Sequence, residues 1–368
     1  MKKPCLAFLL CELILLGAIL SGCQFRDIDK RFFVVAMGVD SSDDKDKPYD
    51  VTLKLAIPSP EVKPGQADFQ LISEKADSIP EAVRVMKSRV DKEFDFGHCR
   101  MVLFDEKMIS ENPLSTINWF LRRRDIQGIT YLGIGKPSSK EVLKIRAKSE
   151  RLPANALILT FDPSTNTSTY VSTSMVNDFF MRVREDGIDP YLPIIEPQKD
   201  TYAINTVALF AGDKLAGSLN RDETRMLNEL MNTQRRGQIN VASGKNHLFV
   251  NVDQLKAVIQ VMLPNGKRPY VDMHLDIMGF IEGSGEKLAT NQEIKHYEKI
   301  ASKTISKRVK RAMKKIQSMG SDPLGLELRY QAKVGPRQKE REEWRSLYPN
   351  MDIRVHTNLD IKGTGTMY

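Results

Sequence analysis

The stretch that decides the fold runs from residue 290 to residue 318 and reads TNQEIKHYEKIASKTISKRVKRAMKKIQS. Thr290 and Glu293 have the spacing of a capping box, which marks the start of a helix. Apolar residues then recur every three or four positions, the period of a helix with one buried face. We therefore expect a long amphipathic helix over about 291–318, packed on a sheet. The apolar line consists of Ile294, Tyr297, Ala301, Ile305, Val309, Met313 and Ile316.

The same stretch is strongly basic, and its cations lie off the apolar line. Such a charge run is usually a solvated helix face. The alternative is contact with anionic lipid or with an acidic partner surface. The sequence leaves both interpretations open. The cations are Lys303, Lys307, Arg308, Lys310, Arg311, Lys314 and Lys315.

Strand patterns alternate with helical ones along the rest of the chain, which predicts an α+β fold with mixed sheets. At 368 residues the chain is too long for one ordinary core, so two or three domains are expected. The C-terminal domain would carry the long helix on its sheet. Strands are predicted at Phe32–Val39, Val51–Ile57, Cys99–Phe104, Gly128–Ile134, Thr206–Phe210, His247–Val252, Lys256–Leu263, Tyr270–Ile281, Leu326–Val334 and Ile353–Ile361.

The main domain boundary is predicted in a proline-rich segment. Pro190, Pro193 and Pro197 favour a stiff, extended hinge. The predicted division is a signal segment at 1–22, an N-terminal α+β region at 23–195 and a C-terminal α+β domain at 196–368. Within the N-terminal region, Ser164–Ser174 is rich in Ser and Thr and is interpreted as a loop or a lid-like excursion rather than core.

The N-terminus has the pattern of a bacterial lipoprotein signal. Lys2 and Lys3 precede an apolar run to Leu20 that is interrupted only by Glu12. This run is shorter than the roughly 20 residues that span a bilayer. It ends in Leu20-Ser21-Gly22-Cys23, in which small residues precede a cysteine. Cleavage before Cys23 would make this cysteine the new, acylated N-terminus. We expect Cys23 to be the lipid attachment site; the alternatives are a plain signal peptide and a membrane-spanning anchor.

Signatures of catalysis are missing from the sequence. The five histidines show no metal-ligand spacing, and there is no GxSxG or phosphate-binding loop. Asp40, Glu93 and Asp95 are carboxylates that the sequence alone cannot bring together. Cys99 lies in a predicted buried strand and is interpreted as a core residue. We therefore expect no catalytic residues, no metal, no cofactor and no enzymatic activity. The net charge of +8 favours an anionic membrane face, and nucleic acid is not an expected partner of an exported protein.

Several segments, taken in order, resemble the C-subunit lipoprotein of spore germinant receptors, the Ger(x)C family. The most distinctive is Leu209–Leu219 with Glu223-Thr224-Arg225. One departure is Gln24-Phe25 after the lipidated cysteine, where the family usually has Trp. The other segments are Leu20–Cys23, Val34–Asp40, Phe94–His98, Trp119–Arg123, Gln317–Asp322, Leu324-Gly325, Trp344 and Tyr348-Pro349.

The resemblance implies a non-enzymatic subunit of a nutrient receptor that triggers spore germination. It implies A-type and B-type membrane subunits as partners, and a lipid-anchored position on the outer face of the spore inner membrane, with palmitate-type acyl chains. The nutrient site is placed in the permease-like B-type partner. The alternative is a lipoprotein that binds solute for a transporter, which a ligand should stabilise strongly against unfolding.

Overall fold

The structure is a computed structural model that describes residues 30–57, 68–111, 113–149, 154–162, 164–165, 168–231, 237–243, 246–284 and 290–363. Within these residues, two β-sheets carry helices on their faces, so the predicted α+β class with mixed sheets is confirmed. Cys23 and the predicted signal segment lie outside the described residues. No helix in the described part of the chain is both long and apolar enough to cross a membrane.

The first sheet contains nine strands in the order β3-β2-β1-β5-β6-β7-β8-β9, with β4 paired to β1. Its centre is parallel, and both flanks are antiparallel. The strands are β1 (Arg31–Ser41), β2 (Tyr49–Ala56), β3 (Phe69–Ala76), β4 (Glu93–Asp95), β5 (Met101–Phe104), β6 (Tyr131–Gly135), β7 (Tyr191–Pro197), β8 (Tyr202–Ala211) and β9 (Lys214–Leu219).

Helices cover both faces of this sheet, which explains why its central strands read as continuous apolar runs. On β5, Val102 and Phe104 join one core, whereas Met101 and Leu103 join the other. The first core is covered by α1 (Ile79–Lys87), α2 (Glu106–Glu111), α3 (Pro113–Arg122) and α6 (Val176–Arg184). The second core is covered by α4 (Ser139–Leu143) and α5 (Asn155–Phe161).

The second sheet has the order β10-β11-β12-β13, and its last two strands are parallel. Helix α8 lies between β12 and β13 in sequence and packs on β13 and on the shared core. The elements of this half are α7 (Arg221–Leu230), β10 (Gly237–Ser243), β11 (Asn246–Met262), β12 (Tyr270–Ser284), α8 (Asn291–Ser318), α9 (Leu326–Val334), α10 (Gln338–Leu347) and β13 (Asp352–Ile361).

Helix α8 confirms the prediction made from its sequence. Thr290 and Glu293 form both hydrogen bonds of the capping box. Ala301, Ile305 and Val309 are buried, and the line continues through Met313 and Ile316. The apolar stripe therefore packs on the second sheet, as the spacing predicts.

Two other predictions are wrong, and a third holds only in part. Leu326–Val334 is the helix α9 and not a strand. The proline-rich segment at 190–197 is largely the strand β7 and not a free hinge. The described residues of the Ser/Thr-rich segment form a loop, as expected, but Ser172 is buried and donates a hydrogen bond to Asn228 of α7 at 2.7 Å, so this loop is partly core.

The predicted boundary between residues 195 and 196 falls inside β7. Strands β8 and β9, which follow it, extend the first sheet rather than opening the second one. A division drawn by sheets would therefore lie after Leu219. The extent of each folding domain stays a prediction.

Candidate functional site: the junction of the sheets and the basic helix

The two sheets meet where one half-buried carboxylate, that of Asp189, accepts hydrogen bonds from two loops. Asp189 precedes β7, and its Oδ1 accepts a hydrogen bond from the backbone N–H of Gly212 at 2.7 Å. Its Oδ2 accepts from the backbone N–H of Asp322 at 2.6 Å, just beyond α8. Gly212 adopts a φ of 63° in the β8–β9 turn, a conformation that glycine takes without steric cost. Asp189 therefore joins the distinctive Leu209–Leu219 segment to the end of the long helix.

Side chains from the C-terminal half reinforce this junction. Ser321 Oγ donates to the carbonyl of Phe210 at 2.6 Å, and Tyr348 Oη donates to the carbonyl of Ser321 at 2.8 Å. Trp344 stacks on Tyr348, with ring centroids 5.2 Å apart. Arg182 of α6 donates to the carbonyls of Asp189 and Pro323. Parts of the Leu209–Leu219, Gln317–Asp322 and Trp344–Pro349 segments, which contribute to the family resemblance, thus line a common cleft of about 390 Å³.

Asp322 is the most perturbed acid of the junction. Burial, followed by repulsion from the neighbouring carboxylates of Asp189 and Glu327, raises the pKa of its carboxyl group to about 7. Hydrogen bonds from the backbone N–H groups of Leu326 and Glu327 offset part of this rise. Burial also raises the pKa of Asp189. Hydrogen bonds from the backbone N–H groups of Gly212 and Asp322, and the positive charge of Arg182, lower this pKa and offset part of the rise.

Asp322→Asn is expected to flatten the dependence of stability on pH. Folded Asp322 holds its proton up to about pH 7, whereas the unfolded group releases it near 3.8. The free energy of unfolding therefore falls as pH rises through this window. At about 1.4 kcal/mol per pKa unit, the free energy of unfolding of the variant relative to that of the wild type should rise by on the order of a few kcal/mol between pH 4 and pH 8. Urea titrations across this pH range measure both free energies.

The control is Asp43→Asn, which changes an exposed aspartate and should show the same pH dependence of stability as the wild type. If the stability of Asp322→Asn depended on pH as that of the wild type does, the assignment would be contradicted.

Glu223 and Arg225, which follow the distinctive segment, hold α7 in place. Glu223 completes a capping box with Asn220, and its Oε2 accepts from Lys315 Nζ of α8 at 2.6 Å. Arg225 pairs with Glu229 at 3.4 Å, and burial raises the pKa of Glu229 to about 7. These charges therefore connect α7 to α8 and stabilise the second half internally.

The basic face of α8 is the most strongly charged surface element of the described residues. Between Asn291 and Ser318 the helix carries nine Lys or Arg residues and two Glu. Lys310 and Lys315 pair with Asp352 and Glu223. The exposed cations of α8 that form no ion pair with any described residue are Lys295, Lys299, Lys303, Lys307, Arg308, Arg311 and Lys314. This face is therefore available for contact with an anionic surface.

The carboxylates singled out from the sequence serve separate structural purposes. Asp40 accepts hydrogen bonds from the backbone N–H groups of Ser139 and Lys140 at the start of α4. Asp95 pairs with Arg31, and Glu93 pairs with Lys87. Burial raises the pKa of the Cys99 thiol to about 12, as expected of a core cysteine. The structure thus brings none of these groups together.

One cluster was not predicted. Asp272, His274 and His356 converge on the outer face of the second sheet. The histidines belong to strands that are distant in sequence, so their spacing in the chain carried no ligand signal. Only the parallel pairing of β12 with β13 reveals their proximity.

Comparisons with known proteins agree with this architecture. The family model of the spore germination protein N-terminal domain matches residues 24–197, and the model of the spore germination B3/GerAC-like C-terminal domain matches residues 205–365. The crystal structure of the GerBC protein superimposes with a TM-score of 0.60 at 16% identity, covering 92% of this chain and 100% of that one. Fold and junction thus define a two-sheet protein of the spore germination class.

Relatives in sequence give the same result. Spore germination protein GerQC of Bacillus cereus is 22% identical over 82% of this chain and 84% of its own length. Spore germination protein B3 of Bacillus subtilis (strain 168) is 21% identical over 95% of each chain. The chain belongs to the Ger(x)C family of spore germination proteins.

Proposed function

We propose that this chain is the membrane-anchored C-type subunit of a nutrient germinant receptor that triggers spore germination. The observation that carries this proposal is the match of both family domains, in order, along nearly the whole chain. The chain would be attached by lipid on Cys23 to the outer face of the spore inner membrane. It would work beside A-type and B-type membrane subunits.

In this proposal the subunit couples or scaffolds its partners and performs no catalysis. The described acids and the thiol that could have formed a reactive centre are engaged in capping, ion pairs and the core. A solute-binding role is not favoured, because such proteins have two similar α/β lobes. Here a nine-stranded mixed sheet stands beside a four-stranded one.

The basic face of α8 is the contact surface that this function would use. Its exposed cations would attract an acidic patch on a partner subunit, which speeds encounter and fixes the orientation of the two surfaces. The junction holds the C-terminal end of α8 against the first sheet. A displacement of α8 on partner binding would therefore be transmitted to both sheets.

Charge reversal on this face should weaken assembly of the receptor. The variant Lys307→Glu, Arg311→Glu, Lys314→Glu replaces three exposed cations that form no ion pair with described residues, so we expect it to fold. Recovery of the A-type and B-type subunits with the tagged variant should fall several-fold, and raising the salt concentration should weaken the wild-type contact in the same way. Co-purification from membranes measures this.

A matched control separates position from total charge. Lys45→Glu, Lys47→Glu, Lys107→Glu makes the same charge change at exposed sites of the first-sheet half. It should recover both partners normally. Normal recovery with the α8 variant, at unchanged circular dichroism, would show that the basic face is only a solvated surface. Normal recovery of both partners together with weaker binding of the purified variant to vesicles of anionic lipid would assign the face to lipid.

A further inference from the structure

Two imidazoles and one carboxylate converge on the face of the second sheet opposite α8. Along β12 the side chains alternate: Met273 and Leu275 are buried in the core that α8 covers, whereas Asp272 and His274 point to the other face. The parallel register places His356 of β13 directly opposite His274.

The geometry of this cluster is compact. His274 Nε2 lies 3.1 Å from Asp272 Oδ2, and His356 Nε2 lies 3.2 Å from Asp272 Oδ1. The two imidazole rings stack with centroids 4.8 Å apart and planes 19° from parallel. One ligand atom from each of the three residues lies within 4.8 Å of the others. Three groups that ligate transition metals therefore face one small volume.

The cation next to Asp272 on the neighbouring strand pairs elsewhere. Arg354 is the register partner of Asp272 on β13. Its guanidinium lies over the ring of Tyr270 at 3.6 Å, and its Nε donates to Asp352 at 3.2 Å. Asp272 instead faces the two imidazoles, and its side chain is 20% exposed, so most of it is covered by neighbouring residues.

We propose that Asp272, His274 and His356 bind a divalent transition-metal ion, for which Zn²⁺ is the best fit. Imidazole nitrogen and carboxylate oxygen bind Zn²⁺ at about 2.0–2.2 Å, which puts tetrahedral ligand atoms roughly 3.3 Å apart. Each imidazole nitrogen lies at close to this spacing from one carboxylate oxygen of Asp272, His274 from Oδ2 and His356 from Oδ1, and a small side-chain rotation would bring both nitrogens onto one ion. Both histidine side chains are more than half exposed, at 55% and 58%, so a fourth position is open to water.

Paired strands give such a site rigidity. Ligands fixed on adjacent strands are held more precisely than ligands on loops. The simpler alternative is a carboxylate that only accepts hydrogen bonds from two imidazoles. Metal binding distinguishes the two, because only the first arrangement takes up an ion with an affinity that depends on all three side chains.

The test is a titration of the full chain, purified in detergent with a tag that contains no histidine and stripped of metal by a chelator. Co²⁺ is the probe, since its visible absorption reports coordination by nitrogen and oxygen, and Zn²⁺ is then added in competition. We expect one equivalent to bind. His356→Ala, His274→Ala and Asp272→Asn should each weaken binding at least about tenfold, because loss of even an outer partner of a ligand costs 10–100-fold.

His296→Ala is the matched control, since it removes an exposed histidine of α8 that lies outside the cluster. It should bind both ions as the wild type does. Zn²⁺ should also raise the melting temperature of the wild type and of the control, but not that of the three ligand variants. Equal affinity in His356→Ala and the wild type, or no cobalt absorption in the wild type, would overturn the proposal.

Discussion

Trp344→Ala is expected to lower the free energy of unfolding by about 3–5 kcal/mol, the usual cost of deleting a buried tryptophan. Trp344 is only 2% exposed. Its ring packs between Tyr348 and Tyr330, with centroids 5.2 and 5.4 Å away. Removing it leaves a cavity beside the tyrosine that holds Ser321 at the junction. Denaturant titration followed by far-ultraviolet circular dichroism measures the loss.

Two comparisons make the Trp344 result specific. Trp344→Phe keeps an aromatic ring between the tyrosines and should recover more than half of the lost stability. Arg345→Ala changes the next residue, which is exposed, and should cost little, since surface substitutions are usually within about 0.5 kcal/mol. A loss below about 1 kcal/mol for Trp344→Ala would show that this ring does not support the junction.

Cys23→Ala is expected to abolish lipid attachment. In the proposed anchor, two or more acyl chains hold the protein at the bilayer, whereas one chain gives only marginal binding. Radioactive palmitate should label the wild type and leave the variant unlabelled. This measurement is needed beside detergent partitioning, because an uncleaved signal segment would itself partition as an apolar chain.

Cys5→Ala and Cys11→Ala are the controls for this experiment. Both residues would be removed with the signal segment, so their loss should leave labelling and membrane recovery unchanged. Palmitate labelling that survives in Cys23→Ala would place the lipid elsewhere or exclude this form of anchoring.

Local patterns predicted helix α8 because two independent signals agree there. The capping box of Thr290 and Glu293 fixes the start, and the apolar line fixes which face is buried. Both depend only on residues close in sequence. The same is true of the start of α7, where the N-cap Asn220 accepts a hydrogen bond from the backbone N–H of Glu223, three positions along the chain.

Predictions failed where tertiary contacts decide the structure. In α9, Leu326, Leu328 and Tyr330 mimic the alternation of a strand, but the buried residues are Leu326, Tyr330 and Gln331, which share one helix face. In β7, prolines suggested a hinge because they cannot donate to a ladder. The apolar residues between them nevertheless pair with β6 and β8, two strands that the local sequence does not reveal.

The junction and the histidine cluster were beyond sequence reasoning for a similar reason. Asp189 and Asp322 meet only because the first sheet and the end of α8 are packed together. His274 and His356 meet only because β13 adds to β12 in parallel. In the sequence alone, where these tertiary contacts are not visible, none of these four residues stands out from the other polar residues.

The parallel pairing of β12 with β13 also imposes an order on biosynthesis. The ribosome makes β12 first, then α8, and β13 last, so the edge of β12 waits for its partner while the intervening chain emerges. Unpaired edges are where nascent chains aggregate. Helix α8 needs only local contacts, which form in about a microsecond. Its apolar stripe can therefore cover the face of the unfinished sheet before β13 is made, so that the edge of β12 is the part of the interface with β13 that still waits for its partner.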